Sequence, residues 1–181
     1  MSRVLVPLAD GFEEIEAVTI IDVLRRGGVE VVTAALARQS VKGANNIVVT
    51  ADTLLEEADE SDFDMIVLPG GNEGHKNLAT CTRLLEMLQA HEKTGKTLAA
   101  ICAAPYVLKT AGVLKGEYTC YPSMEYAIGT KGYTVDKKTV INGENIITSQ
   151  GPATAIDFAL AVLEKLEGKI KAASIRQAIL A

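Results

Sequence analysis

Short continuous apolar runs alternate along the chain with longer stretches of helical spacing. Residues 3–9 (RVLVPLA), 29–36 (VEVVTAAL), 47–50 (IVVT), 64–71 (DMIVLPGG) and 97–101 (TLAAI) predict strands. Pro7 in the first fits a strand end or a bulge. Residues 14–26 predict a helix ended by Gly27 and Gly28, and residues 77–94 a second that stops before Gly95. A third follows TLAAI to about residue 111. Residues 152–166 predict an apolar helix that opens on Pro152 and stops before Gly168, and KIKAASIRQAIL a last one. KKTVINGENIITS carries an Asn142-Gly143 hairpin signal between two apolar runs.

Strands written as unbroken apolar runs are buried on both faces, which predicts a parallel sheet between helices. No linker, repeat or low-complexity segment interrupts the pattern, so residues 1–181 read as one domain. In an open α/β sheet, chemistry gathers at the C-terminal ends of the strands. Three unusual sequences fall there: ADGFEEIE after the first strand, PGGNEGH after the fourth and CAAP after the fifth.

Composition narrows the partners. With 181 residues, no tryptophan and 4% aromatics, the core must be aliphatic. A net charge of -5 without a basic block argues against nucleic acid or an anionic membrane. The N-terminal MSRVLVPLADG is no signal peptide, and no stretch approaches membrane-spanning length. Three cysteines without metal or redox spacing suggest free thiols in a reducing cytoplasm.

Cys102 stands where a buried strand must turn sharply into a helix. Ala100, Ala103 and Ala104 leave room for a strained elbow, and Pro105 suits a first helical turn. A helix N-terminus behind the sulfur is expected to lower the thiol pKa. The alternative is a buried structural cysteine at the end of a core strand. Cys81, in ATCTRL, and Cys120, in the strand-like YTCYP, read as non-catalytic thiols.

Glu16 is the second signal. Ile15, Ala17, Val18, Ile20, Ile21, Val23 and Leu24 cover well over half of the helix circumference at about 100° per residue. Glu16 falls at the edge of that arc, so it is expected in a partly buried place with a raised pKa, able to hold a proton. Capping or an ion pair is the alternative. Glu13 and Glu14 are explained by the preference for acids at a helix start. An arc this wide exceeds one sheet face, which predicts a homodimer through residues 15–26.

LPGGNEGHKN lacks the P-loop ending and the GxGxxG spacing, so it does not read as a phosphate cradle. Gly70 and Gly71 instead suit a turn whose N–H groups approach a reacting oxygen, or a tight turn alone. His75 follows at the same sheet edge and is within reach of the site. His91, in LQAHEKTGK, reads as a solvated helix position. No residue cluster has metal-ligand spacing.

ADGFEEIEAV, VLRRGG, IVLPGGNEG, AAICAAP and TSQGPATAIDFAL, in this order and spacing, resemble the ThiJ/PfpI superfamily, nearest to the branch of the parkinsonism-associated protein deglycase and its bacterial ThiJ-like relatives. The resemblance implies a flavodoxin-like (class I glutamine amidotransferase-like) three-layer α/β/α sandwich with a mostly parallel sheet, usually dimeric. It implies Cys102 as nucleophile, Glu16 as its protonated partner, and Gly71 and Ala103 as backbone donors around the sulfur or a substrate oxygen. It also implies glyoxalase or deglycase activity without a cofactor, redox sensing and chaperone-like protection. The protease-like branch has a histidine directly after the nucleophile, where this chain has Ala103. The deglycase has a histidine near the position of Tyr121, and an arginine in the loop where VKGANN offers only Lys42.

Three functions follow. The first is a thiol enzyme acting on small reactive carbonyls such as methylglyoxal, or on glycated proteins. The second is a redox-responsive protein without turnover, in which Cys102 oxidises and Glu16 bonds the sulfinate. The third, a hydrolase or peptidase, lacks an obvious histidine base.

Overall fold

The computed structural model of the chain describes residues 1–143 and 145–181. Its first half runs β1 (Arg3–Leu8), α1 (Glu14–Arg26), β2 (Glu30–Ala35), β3 (Ser40–Lys42), β4 (Val48–Thr50), β5 (Thr53–Leu54) and β6 (Met65–Leu68). The second half runs α2 (Gly74–Ala79), α3 (Thr82–Lys93), β7 (Thr97–Ile101), α4 (Pro105–Thr110), α5 (Glu125–Ile128), β8 (Thr139–Asn142), β9 (Ile146–Ser149), α6 (Ala155–Glu167) and α7 (Lys169–Ala178).

Seven strands form one sheet in the order β5-β2-β1-β6-β7-β9-β8. All neighbours are parallel except β8, which runs antiparallel to β9. β6 and β7 are buried at every position, as their unbroken apolar runs require. Along β1, Val4, Val6 and Leu8 pack with α1 and α6, whereas Leu5 faces the layer of α2, α3 and α4. The result is the expected flavodoxin-like three-layer sandwich with an aliphatic core. Pro7 sits beyond the two residues through which β1 pairs with β6, so it interrupts no ladder on that side. No helix among the described residues is long and apolar enough to cross a membrane.

The chain moves outward from β1 to β2 and β5, then returns to the other side through β6, β7 and β9. The reversal brings the loops after β1, β6 and β7 to one edge, which positions the site.

Several local expectations change. The single helix over 77–94 is two, because Cys81 adopts an extended conformation between α2 and α3. His91 is not solvated: it continues the Leu84, Met87, Leu88 stripe at helical spacing and is buried. Burial, with Lys96 nearby, pushes its pKa down to about 4. YTCYP forms only a single bridge, Tyr118 to Tyr133. Pro152 opens a 3₁₀ turn before α6 rather than α6 itself. The Asn142-Gly143 hairpin forms, with Asn142 closing β8 antiparallel to β9; Glu144 lies outside the described residues.

Candidate active site

Cys102 follows β7 directly and has φ +64, in the left-handed region that residues with a side chain rarely adopt. Neighbours hold it there: its N–H donates to the Ser149 carbonyl at 2.9 Å, and its carbonyl accepts from the Tyr121 N–H at 2.8 Å. Ala103 and Ala104 are buried with no side chain large enough to crowd the turn. The elbow anticipated from the sequence is therefore present.

Glu16 is brought to this elbow by α1. Glu13 caps that helix, accepting the Glu16 N–H at 2.8 Å, and Glu16 falls on the inward side of its first turn. Glu16 is fully buried. Its Oε2 accepts the Gly70 N–H at 2.8 Å, its carboxyl hydrogen-bonds the Cys102 thiol, and Oε1 is buried with no protein partner. Burial pushes the Glu16 pKa up to about 7; the Gly70 N–H and the thiol oppose the rise, and the Glu13 charge adds to it.

The thiol departs from expectation. α4 begins just after the elbow, at Pro105, and is short, so the lowering expected from its N-terminus is outweighed. Burial first, then the charge and hydrogen bond of Glu16, raise the Cys102 pKa. The Gly71 and Ala103 N–H groups pull in the opposite direction. A thiolate and a charged Glu16 repel each other in this low-dielectric place, so the pair favours a single negative charge.

Because Glu16 holds its proton more tightly folded than unfolded, its contribution to stability is full below about pH 4.5 and is lost as pH rises through about 7. Ionisation costs on the order of 3 kcal/mol. The melting temperature should fall from about pH 5 to about pH 8, and Glu16→Gln should flatten that slope. Equal slopes in thermal melts of the two proteins would contradict the assignment.

Both loop glycines are required by space. A Cβ on Gly70 would lie 2.7 Å from the Cys102 Cβ and 2.7 Å from Glu16 Oε2. Gly71 has φ +107, and a Cβ there would stand 2.2 Å from the Gly11 carbonyl oxygen. His75 is buried and meets Gly71 rather than the sulfur, with Nδ1 2.8 Å from the Gly71 carbonyl oxygen. Tyr121 reaches the elbow through its backbone; its half-exposed ring lies against Gly151. Lys42 contributes backbone contacts to Asp10 and Gly11.

Glu14 was missed in the sequence. It is buried and accepts the Asn45 backbone N–H at 2.5 Å and the Asn45 amide at 2.9 Å, tying the loop between β3 and β4 to α1. Those hydrogen bonds outweigh burial and hold its pKa down. Nothing in the run EEIE distinguishes it from a helix-start acid.

Residues 2–165 match the DJ-1/PfpI family. The chain belongs to that family. Among relatives of this DJ-1/PfpI protein, the Arabidopsis thaliana Protein DJ-1 homolog A is 39% identical over 98% of the chain, which spans only 46% of that relative's length. The Caenorhabditis elegans glutathione-independent glyoxalase DJR-1.2 is 37% identical over 95% of the chain and 91% of its own length. The structure of oxidised Toxoplasma gondii DJ-1 superposes with a TM-score of 0.94 at 38% identity, covering 99% of this chain and 98% of the other.

Proposed function

We propose that this protein is a cysteine-dependent, cofactor-independent glyoxalase acting on methylglyoxal or on its adducts with proteins, in the cytoplasm. The observation that carries the reading is the buried Glu16 carboxyl, one oxygen of it unpartnered, set against the thiol of Cys102 on its strained backbone. Similarity to a relative named as a glyoxalase supports it.

The Cys102 sulfur adds to the aldehyde carbon. Its proton passes through Glu16 to the new oxygen, leaving a hemithioacetal. Glu16 then takes the proton from that carbon and returns one to the neighbouring carbonyl carbon, while the hemithioacetal hydroxyl proton passes to the neighbouring oxygen, which gives a thioester of lactate. Water cleaves the thioester and frees lactate and the thiol. The net change is addition of one water to methylglyoxal. A carboxyl with a pKa near 7 suits both halves of this transfer, because acid and base forms coexist at neutral pH. Gly71 and Ala103 N–H groups steady charge on the sulfur. The test is lactate production from methylglyoxal by the purified chain without glutathione; no lactate means the reading fails.

Tyr121 contributes its backbone, so Tyr121→Phe should keep turnover within about threefold of wild type. A loss of about a hundredfold in kcat/KM would give its hydroxyl a direct role.

The second reading is redox sensing. Protonated Glu16, next to Cys102 and with Oε1 unpartnered, suits a hydrogen bond to a cysteine sulfinate. A peptidase is disfavoured by Ala103 after the thiol and by His75 bonding Gly71.

Association as a homodimer through α1 is part of the proposal. Ile15 and Val18 stay exposed on that helix, and Ile47 and Val48 are exposed on the segment Glu14 ties to it. Light scattering should give twice the 19.2 kDa chain mass at micromolar concentration. A single-chain mass would remove the dimer.

A further inference from the structure

We propose that His75 is a positioning residue that holds the Gly71 and Ala103 N–H groups on the Cys102 sulfur. The inference deepens the reading of Cys102 as the reactive thiol and rests on it.

The Gly71 carbonyl receives two bonds from one residue: the His75 backbone N–H at 3.1 Å and Nδ1 at 2.8 Å. A carbonyl oxygen only accepts, so Nδ1 carries the hydrogen. Gly71 itself has φ +107 and no side chain to limit its rotation. The Gly70–Gly71 peptide presents its N–H to the sulfur, and the following peptide presents its carbonyl to His75. The Glu13 N–H holds the Gly70 carbonyl at 3.1 Å, and the bonds from His75 hold the Gly71 carbonyl, so the peptides on both sides of Gly71 are fixed and its N–H keeps its direction.

The ring also reaches the segment that carries the second donor. His75 meets Tyr106 edge to face, with centroids 5.6 Å apart and planes at 85°. Tyr106 lies on α4, and its N–H donates to the Ala103 carbonyl. Ala103 is the residue whose N–H also faces the sulfur. One buried ring therefore spans the two backbone segments that cradle Cys102, and sets how closely they approach each other. A substrate-contacting role is not needed to explain its placement: it is 4% exposed and committed to Gly71.

The test is the pH profile of Cys102 alkylation by iodoacetamide, with peptide mass mapping to follow each cysteine, in wild type, His75→Ala, His75→Asn and His75→Gln. Loss of the ring should move the profile to higher pH and lower the rate near neutrality about tenfold, the size of one hydrogen bond to a charged atom. The amide nitrogen of asparagine stands near the position of Nδ1, whereas that of glutamine reaches past it. His75→Asn should therefore stay within about threefold of wild type and His75→Gln should not. A purely packing role would lower the melting temperature of all three variants and leave the profile in place.

The proposal is overturned if the His75→Ala profile superimposes on wild type, or if asparagine and glutamine behave alike. The second comparison decides the matter alone should His75→Ala fail to fold. A wild-type chain in which Cys102 is not alkylated would remove the functional reading itself, and the proposal with it; that result is visible before any His75 variant is made.

Discussion

Gly70→Ala should cut turnover sharply while leaving the chain folded. The added methyl would lie 2.7 Å from both the Cys102 Cβ and Glu16 Oε2, and 3.0 Å from the Ile101 carbonyl oxygen. Ordinary contact between such atoms is nearer 3.5 Å or more. Gly70 is not among the residues of positive φ, so its backbone accepts alanine and the conflict is one of space alone. The carboxyl is the movable partner. Displacing it breaks the 2.8 Å bond from the Gly70 N–H and separates Glu16 from the thiol. We expect kcat/KM for methylglyoxal to fall about a hundredfold or more, with about 1–3 kcal/mol of stability lost to overpacking. Gly143→Ala is the control, since a methyl there meets nothing within 4 Å. Turnover within threefold of wild type in Gly70→Ala would show that the carboxyl and thiol need not stay together.

The sequence carried the sheet because its central strands announce themselves. MIVL and TLAAI are apolar at nearly every position and buried at every one. The segments that escaped reading have no such pattern. β5 is two residues long, and β3 has a single buried residue between two exposed ones. Such pieces are set by their partners: β5 exists because Thr53 and Leu54 pair with Ala34 and Ala35. YTCYP shows the converse, a β-like composition that tertiary packing does not use as a strand.

The site was legible where chemistry depends on backbone shape. Small residues around Cys102 indicated the elbow, and the angular position of Glu16 indicated its inward direction. Electrostatics was less legible. A sequence shows that a helix follows the thiol but not how deeply the sulfur is buried, and burial outweighs the start of the helix here. Burial depends on what α1 brings from far away in the chain, and that raises the Cys102 pKa. The same reason hid the placement of His75. Its position after PGGNEG suggested proximity to the site, but only the fold shows the ring bridging Gly71 and Tyr106.

The remaining large effect is that of the thiol itself. A serine at position 102 keeps nearly the same volume and can still donate to Glu16. Its hydroxyl is a far weaker nucleophile at neutral pH, because it ionises much less readily than a thiol. Cys81 and Cys120 offer no substitute. Cys120 is fully buried, with a pKa pushed up to about 12 by burial and by Glu125. Cys81 lies between α2 and α3, outside the hydrogen-bonded Cys102–Glu16 pair. The direct measurement is lactate formed from methylglyoxal by wild type and Cys102→Ser side by side, with thermal melts to show that both are folded. The account predicts turnover by the wild type and a loss of about a thousandfold or more, roughly 4 kcal/mol of barrier, in the variant. Comparable lactate production by folded Cys102→Ser would contradict it.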